Sequence, residues 1–201
     1  MIEKAIPYIG ILMVKNNPGE YPEYRLPAGY SFVHYKKGYE SYWAKLHLIL
    51  DQFDTTEEAQ NYYRNEFLVS IDNLYKKGIF VQEDTGNIIA TASLWEGEHF
   101  GAKYQRLHWV AVHPDHQGKG IAKALITKTL EIFNKLGYQD FIYLTSQTES
   151  YQAINIYLQF GFEPYTGSKP ENWSGTNEDF ARDNQLAWKL ILDRIKDYRE
   201  Q

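Results

Sequence analysis

The residues of this chain best suited to chemistry lie at one junction. The β-compatible run Leu107-His108-Trp109-Val110-Ala111-Val112 passes through His113-Pro114-Asp115-His116 into Gln117-Gly118-Lys119-Gly120-Ile121-Ala122, where an apolar stripe of helical spacing begins. Glycines let a backbone approach a ligand closely, and the first turn of a helix carries amides without intrahelical partners at the positive end of the dipole. That combination binds an anion such as a pyrophosphate, with Lys119 and Lys123 adding charge beside it. Spacing rules out two familiar phosphate motifs. A Walker loop needs Ser or Thr after its Gly-Lys pair, whereas Gly118-Lys119 is followed by Gly120. A dinucleotide fingerprint needs Gly or Ala where Lys123 stands, and an acidic residue ending the next strand, whereas Asp140 precedes it.

Proton-transfer candidates cluster nearby. Strand alternation puts Tyr104, Arg106, His108, Val110 and Val112 on one face, so His108 either serves as a base or water-orienting group or is an ordinary sheet histidine. Its reference pKa near 6.5 suits proton removal around neutral pH, and Glu98 is the second candidate. His113 and His116 read as a solvated loop pair, because Pro114 between them prevents a helical pair and no carboxylate cluster accompanies them; no metal is expected. The chain has no Cys, which excludes disulfides, thiolate sites and a cysteine acyl-enzyme. It also has no Gly-x-Ser-x-Gly elbow, which argues against a hydrolase.

The hexapeptide Gln117 to Ala122 resembles the [Gln/Arg]-x-x-Gly-x-[Gly/Ala] signature of the GNAT superfamily of acyl-CoA-dependent N-acetyltransferases. Ser150-Tyr151-Gln152-Ala153-Ile154-Asn155-Ile156-Tyr157-Leu158-Gln159-Phe160-Gly161-Phe162 looks like the family's second signature, with Ser150 in place of its leading Asn. The resemblance implies acetyl-CoA as cosubstrate, lying in a V-shaped opening between the family's fourth and fifth strands, here Tyr104 to Val112 and Phe141 to Thr145. Its pantetheine arm would pair with the backbone around Val110, Ala111 and Val112, with Ser150 and Ala153 on the acyl-CoA side. Its pyrophosphate would rest on Gln117, Gly118, Lys119, Gly120, Ile121 and Ala122, near Lys123.

The implied reaction is direct attack of a neutral amine on the thioester in a ternary complex. The Val110 N–H would polarise the carbonyl and Tyr157 would protonate the departing thiolate, unless Tyr157 is simply a core tyrosine. The acceptor would be a primary amine on a small molecule or peptide. In the family its pocket is built by the first two helices and the loop between the last two strands, here roughly 39–67 and 166–184. The rings of Tyr42, Trp43, Trp173 and Phe180, with the carboxylates of Glu171, Glu178, Asp179 and Asp183, would suit a cationic amine, or form no more than a solvated acidic loop. A catalytically silent acyl-CoA sensor or docking module is the alternative from a different class.

The elements that must position these residues follow from periodicity. Strands are expected at 8–15 and 30–35, an amphipathic helix at 39–52, and a helix capped by Thr55 that runs to about Phe67, with 71–77 extending it or starting another. A hairpin is expected at 78–94, a strand at 104–112, and a helix from Ile121 that Gly137 stops. A strand at 141–145, a helix at 151–160 with Ser150 as N-cap and β structure from Phe162 follow, then a loop over 166–184 and a closing strand at Gln185 to Leu192. The order describes an α/β (α+β) domain, in GNAT terms a central mixed, mostly antiparallel sheet flanked by helices. One domain over 1–201 is expected, with 1–29 as N-terminal strand and loop and 104–165 as acyl-CoA core.

Net charge is −5 over 201 residues, so no basic field holds a polyanion and nucleic acid is not expected as a partner. No long apolar run and no basic-then-apolar start occur, so membrane association is not expected and a cytoplasmic protein is. A homodimer is compatible with the sequence, and so is a monomer. Aromatic residues make up 16%, including 17 Tyr and 5 Trp, and read as core and rim or as a ring-lined pocket.

Overall fold

A computed structural model describes residues 6–200; Met1 to Ala5, which bear on a leader peptide, and Gln201 lie outside it. In chain order the elements are β1 (Gly10–Lys15), β2 (Tyr30–Val33), α1 (Tyr39–Ile49), α2 (Thr56–Glu66), α3 (Ile71–Lys77), β3 (Gly78–Glu83), β4 (Ile88–Gly97), β5 (Tyr104–Val112), α4 (Ile121–Lys135), β6 (Ile142–Gln147), α5 (Tyr151–Gln159), β7 (Glu163–Pro164) and α6 (Asn177–Glu200). The strands are hydrogen-bonded in the order β2-β3-β4-β5-β6-β1-β7. Pairing is mixed: β2–β3, β3–β4, β1–β6 and β1–β7 are antiparallel, while β5 and β6 are parallel and register Arg106 against Tyr143. Among the described residues no helix is long and apolar enough to cross a membrane.

The chain divides into two compact units, one holding residues up to Pro22, Glu96–Arg106 and the chain from Gln139, the other Glu23–Trp95 and Leu107–Tyr138. In the second unit β3 alternates as the pleat requires. Phe80 joins the aromatic cluster of Tyr35, Tyr39, Trp43, Tyr63 and Phe67, while Ile79 and Val81 join Ile89, Val112, Ile121 and Leu125. One side of this half-sheet thus carries α1 and α2 through rings, and the other carries α4 through aliphatic side chains. Most of the aromatic excess of this region is core. The α2 N-terminus forms as its sequence predicts, with Thr55 Oγ1 accepting from Glu58 N at 3.1 Å.

His47 of α1 is fully buried between the rings of Trp43 at 4.0 Å and Trp109 at 4.8 Å. Its Nδ1 bonds to Gln52, and its Nε2 has no hydrogen-bond partner among the described residues. Burial pushes the imidazole down to about 3, against the opposing effect of the Gln52 bond. The unfolded chain therefore binds the proton that the folded chain refuses between about pH 6.5 and 3, and stability falls as pH drops through that window. We expect His47→Gln to remove about 1.4 kcal/mol per pH unit from the pH dependence of stability between pH 6 and 4, measured by urea unfolding. Parallel curves for the two proteins would refute this.

In the first unit Ile11, Leu12 and Met13 of β1 are fully buried beside Ile142 and Tyr143 of β6, and Ile154 of α5, Phe160 just past its end, and Ala187 and Ile191 of α6 are buried too. One expectation fails here: Gln185 to Leu192 is the middle of α6, not a closing strand, and the preceding loop ends at Thr176. The buried residues Phe180, Asn184, Ala187, Trp188, Ile191 and Ile195 recur at helical spacing. A reciprocal capping box starts the helix, since Thr176 Oγ1 accepts from Asp179 N and Asp179 Oδ2 accepts from Thr176 N, both at 3.1 Å. The apolar run Leu190-Ile191-Leu192 looks like a strand only when this cap and the wider period are ignored. At its far end α6 is tied to α5, with Arg199 Nη2 donating to Asn155 Oδ1 at 2.6 Å.

Candidate active site

The strand-to-helix junction adopts the expected form. Gly118 and Gly120 lie at φ 74° and 83°, in the left-handed region that strains other residues, and a Cβ on either would point into open space. The turn is anchored from below: Gln117 Nε2 donates to the Val112 carbonyl at 3.0 Å and Gln117 N to Pro114 O at 3.1 Å. Gln117 therefore holds the loop in place with both groups. From Gly118 through Ile121 and Ala122 to Lys123 the backbone amides have no acceptor among the described residues, and Ala124 N is the first to find one, on Gly120 O. Both lysines are engaged nearby. Lys119 Nζ donates to Tyr30 OH at 3.3 Å and Asp115 O at 3.1 Å, and Lys123 Nζ sits 4.9 Å from the Tyr24 ring centroid. The row of amides and the left-handed glycines fit a pyrophosphate.

His113 and His116 belong to the same unit. His113 Nδ1 accepts from Asp115 N at 3.3 Å, and His116 Nδ1 bonds Tyr30 OH at 2.9 Å. Among the described residues no group of three or more His, Asp or Glu is arranged to hold a metal.

Upstream on β5 the face assignment needs correction. Trp109 has φ 50°, a left-handed backbone inside the strand, so the alternation that placed His108 and Val110 on one face is interrupted between them. His108 is buried, its carbonyl accepting from Ser93 Oγ at 3.1 Å. Its Nε2 lies 3.2 Å from Glu66 Oε1 and 3.5 Å from Tyr62 OH, and Tyr62 OH in turn accepts from Trp109 Nε1 at 3.1 Å. Glu66, the last residue of α2, escaped the sequence reading, since nothing in its local pattern points to a strand more than forty positions away. Glu98 is instead solvent-exposed and paired with Lys103 at 3.9 Å.

The first unit holds the second signature. Tyr157 of α5 is 8% exposed, with its ring 6.1 Å from that of Phe162. Burial pushes its phenol well above the ordinary tyrosine value, so it stays protonated at neutral pH. Ser150 occupies the N-cap position of α5 but makes no side-chain cap bond, and Ala153 is half-buried one turn on.

This unit also contains a cavity of about 450 Å³. Its wall takes Thr145, Ser146 and Gln147 from the end of β6, His99 from the β4–β5 connection, and Asn172, Trp173 and Ser174 from the loop before α6; Tyr8 and Gly10 complete it. Of the residues expected to receive a cationic amine, Trp173 alone lines this cavity. Trp43 and Phe180 are buried core, Asp179 caps α6, and Asp183 pairs with Arg182 at 3.0 Å.

Comparison with known proteins places the chain. Rat (Rattus norvegicus) N-acetyltransferase 8B is 33% identical over 88 residues, 43% of this chain and 39% of the rat protein. Spermidine N(1)-acetyltransferase of Vibrio cholerae is 31% identical over 115 residues, 56% of this chain and 60% of that protein. The chain thus spans less than two thirds of either relative. The solved GCN5-related N-acetyltransferase from Sphaerobacter thermophilus shares the fold, with a TM-score of 0.58 at 20% identity over 79% of this chain and 49% of that one. The acetyltransferase (GNAT) family profile matches residues 37–162, the stretch that holds both signatures, and the chain belongs to this family.

Proposed function

We propose that this chain, acting as one catalytic domain, transfers an acetyl group from acetyl-CoA to a primary amine by direct attack in a ternary complex. The observation that carries the proposal is the row of unpartnered amides from Gly118 to Lys123 behind two left-handed glycines. Such a row stabilises the pyrophosphate of a CoA ester through hydrogen bonds and the dipole of α4. The backbone around Val110, Ala111 and Val112 is assigned to the pantetheine arm and the Val110 N–H to the thioester carbonyl, next to the irregular Trp109.

His108 removes a proton from the incoming ammonium, directly or through water, and Tyr157 gives one to the departing thiolate. In this reading Glu66 holds the His108 proton on Nε2, which leaves Nδ1 with the lone pair. Tyr157 suits its role because burial keeps the phenol neutral and donating. Ser150 and Ala153 lie at the start of the same helix, on the side assigned to the acyl donor.

The test is release of CoA thiol from acetyl-CoA, without amine and then with pooled amino acids, polyamines, aminoglycosides, arylalkylamines and peptides, beside calorimetric CoA binding. Amine-dependent release is the expected result. CoA binding without release across the panel would favour a sensing module, and no CoA binding would overturn the assignment of the loop. We further expect Gly120→Val, which forces a β-branched residue to φ 83°, to weaken CoA binding about tenfold or more while the chain stays folded by circular dichroism. Unchanged affinity would show that the loop does not carry the pyrophosphate.

A further inference from the structure

We propose that the cavity of the first unit binds a neutral, hydroxyl-bearing ring, and that this ring is the body of the acceptor, as in an amino sugar. The word acceptor rests on the acetyl-transfer reading above; the ligand chemistry rests on the cavity alone.

Among the described residues the lining carries no carboxylate, ammonium or guanidinium. What it offers is hydroxyls, two side-chain amides and an imidazole, groups that both donate and accept and that match a ligand of the same mixed character. The imidazole adds no charge at neutral pH. His99 Nδ1 is bonded to Tyr143 OH at 3.0 Å, and desolvation, then the nearby Arg106 guanidinium, hold its pKa below the ordinary value. Glu171, adjacent in sequence to the lining, turns toward Gly101 instead, its Oε1 lying 2.8 Å from where a Cβ would stand there. A polyamine would therefore meet no counter-charge among the described residues of this wall, and the Arg106 guanidinium is near enough to depress the pKa of His99.

Trp173 supplies a fixed face. Its indole reaches to 2.9 Å from the position of a Cβ on Gly10, so only glycine in β1 allows that approach. The ring is braced edge-on by Phe180 at 5.9 Å and His99 at 6.3 Å. The backbone is held as well, because Trp173 N donates to Pro170 O at 3.1 Å and its carbonyl accepts from Lys169 Nζ at 2.7 Å. A pre-ordered indole beside mixed donors and acceptors takes the C–H face of a pyranose while the rim meets its hydroxyls, at little ordering cost.

The test titrates the whole chain with glucosamine, glucose and spermidine by calorimetry, in the presence and absence of CoA. Glucosamine and glucose are expected to bind within about tenfold of each other, and spermidine about tenfold more weakly or worse. Trp173→Ala should weaken both sugars about tenfold while CoA affinity stays unchanged. Gly10→Val, which pushes the indole off its seat, should do the same, and Asn172→Ala, at an exposed position, provides a variant with little risk to folding. No sugar binding, tighter binding of spermidine, or sugar affinity indifferent to all three substitutions would overturn the proposal. Loss of the acetyl-transfer reading alone looks different: sugars bind and respond to Trp173→Ala, but CoA does not bind or glucosamine releases no thiol.

Discussion

Tyr157→Phe is expected to lower kcat by about 100-fold, within the range of general-acid catalysis, and to leave KM for acetyl-CoA and the melting temperature nearly unchanged. The substitution removes one oxygen from a side chain that is 8% exposed and keeps the ring against Phe162. The lost proton donor is one that burial holds neutral, so the thiolate must leave unprotonated or wait for water. Tyr63→Phe provides the contrast. Tyr63 is also buried, and its hydroxyl has no hydrogen-bond partner among the described residues, so removing it relieves a desolvated polar group worth about 1–3 kcal/mol and leaves kcat alone. Steady-state kinetics with thermal melts on both variants decide the matter. An unchanged kcat in Tyr157→Phe would remove this residue from the chemistry.

The second large effect is expected at the Glu66–His108 pair. His108→Gln should cost about 10²- to 10³-fold in kcat/KM and abolish the rising limb of the pH–rate profile, because the proposed acceptor of the ammonium proton is gone. Glu66→Gln keeps the shape of the carboxylate 3.2 Å from Nε2 but no longer selects the tautomer, and a loss of about tenfold is expected. The double variant should be no slower than His108→Gln, since Glu66 acts through the imidazole. Profiles of kcat/KM against pH for the three variants test this. A His108→Gln enzyme with its pH dependence intact would point to water or another carboxylate as base, and an additive double variant would separate Glu66 from His108.

How much of this was legible in the sequence varies with the distance over which each feature is determined. The glycine-bearing turn before α4 is local. Gly118 and Gly120 are needed where φ is positive, the amides that follow are unpartnered because a helix begins there, and both facts are written in consecutive residues. The Thr55 cap, the hairpin of β3 and β4 and the bounds of β5 are equally local. The capping box of Thr176 and Asp179 is written in the sequence too, but the short aliphatic run Leu190 to Leu192 mimics a strand and masks the helical period spread over α6.

Tertiary structure alone decided the remainder. Residues far apart in sequence meet only when elements pack, so the approach of Glu66 on α2 to His108 on β5 left no local trace. The left-handed Trp109 overrode strand alternation, which assumes a regular pleat. The cavity wall is assembled from β1, the β4–β5 connection, the end of β6 and the loop before α6, and none of these segments is a motif by itself. The sequence by itself determined the fold family and the glycine-bearing turn before α4, because these depend on periodicity and on neighbouring backbone groups. The partner of His108 and the chemistry of the cavity depend on long-range packing, and the tertiary structure supplied them.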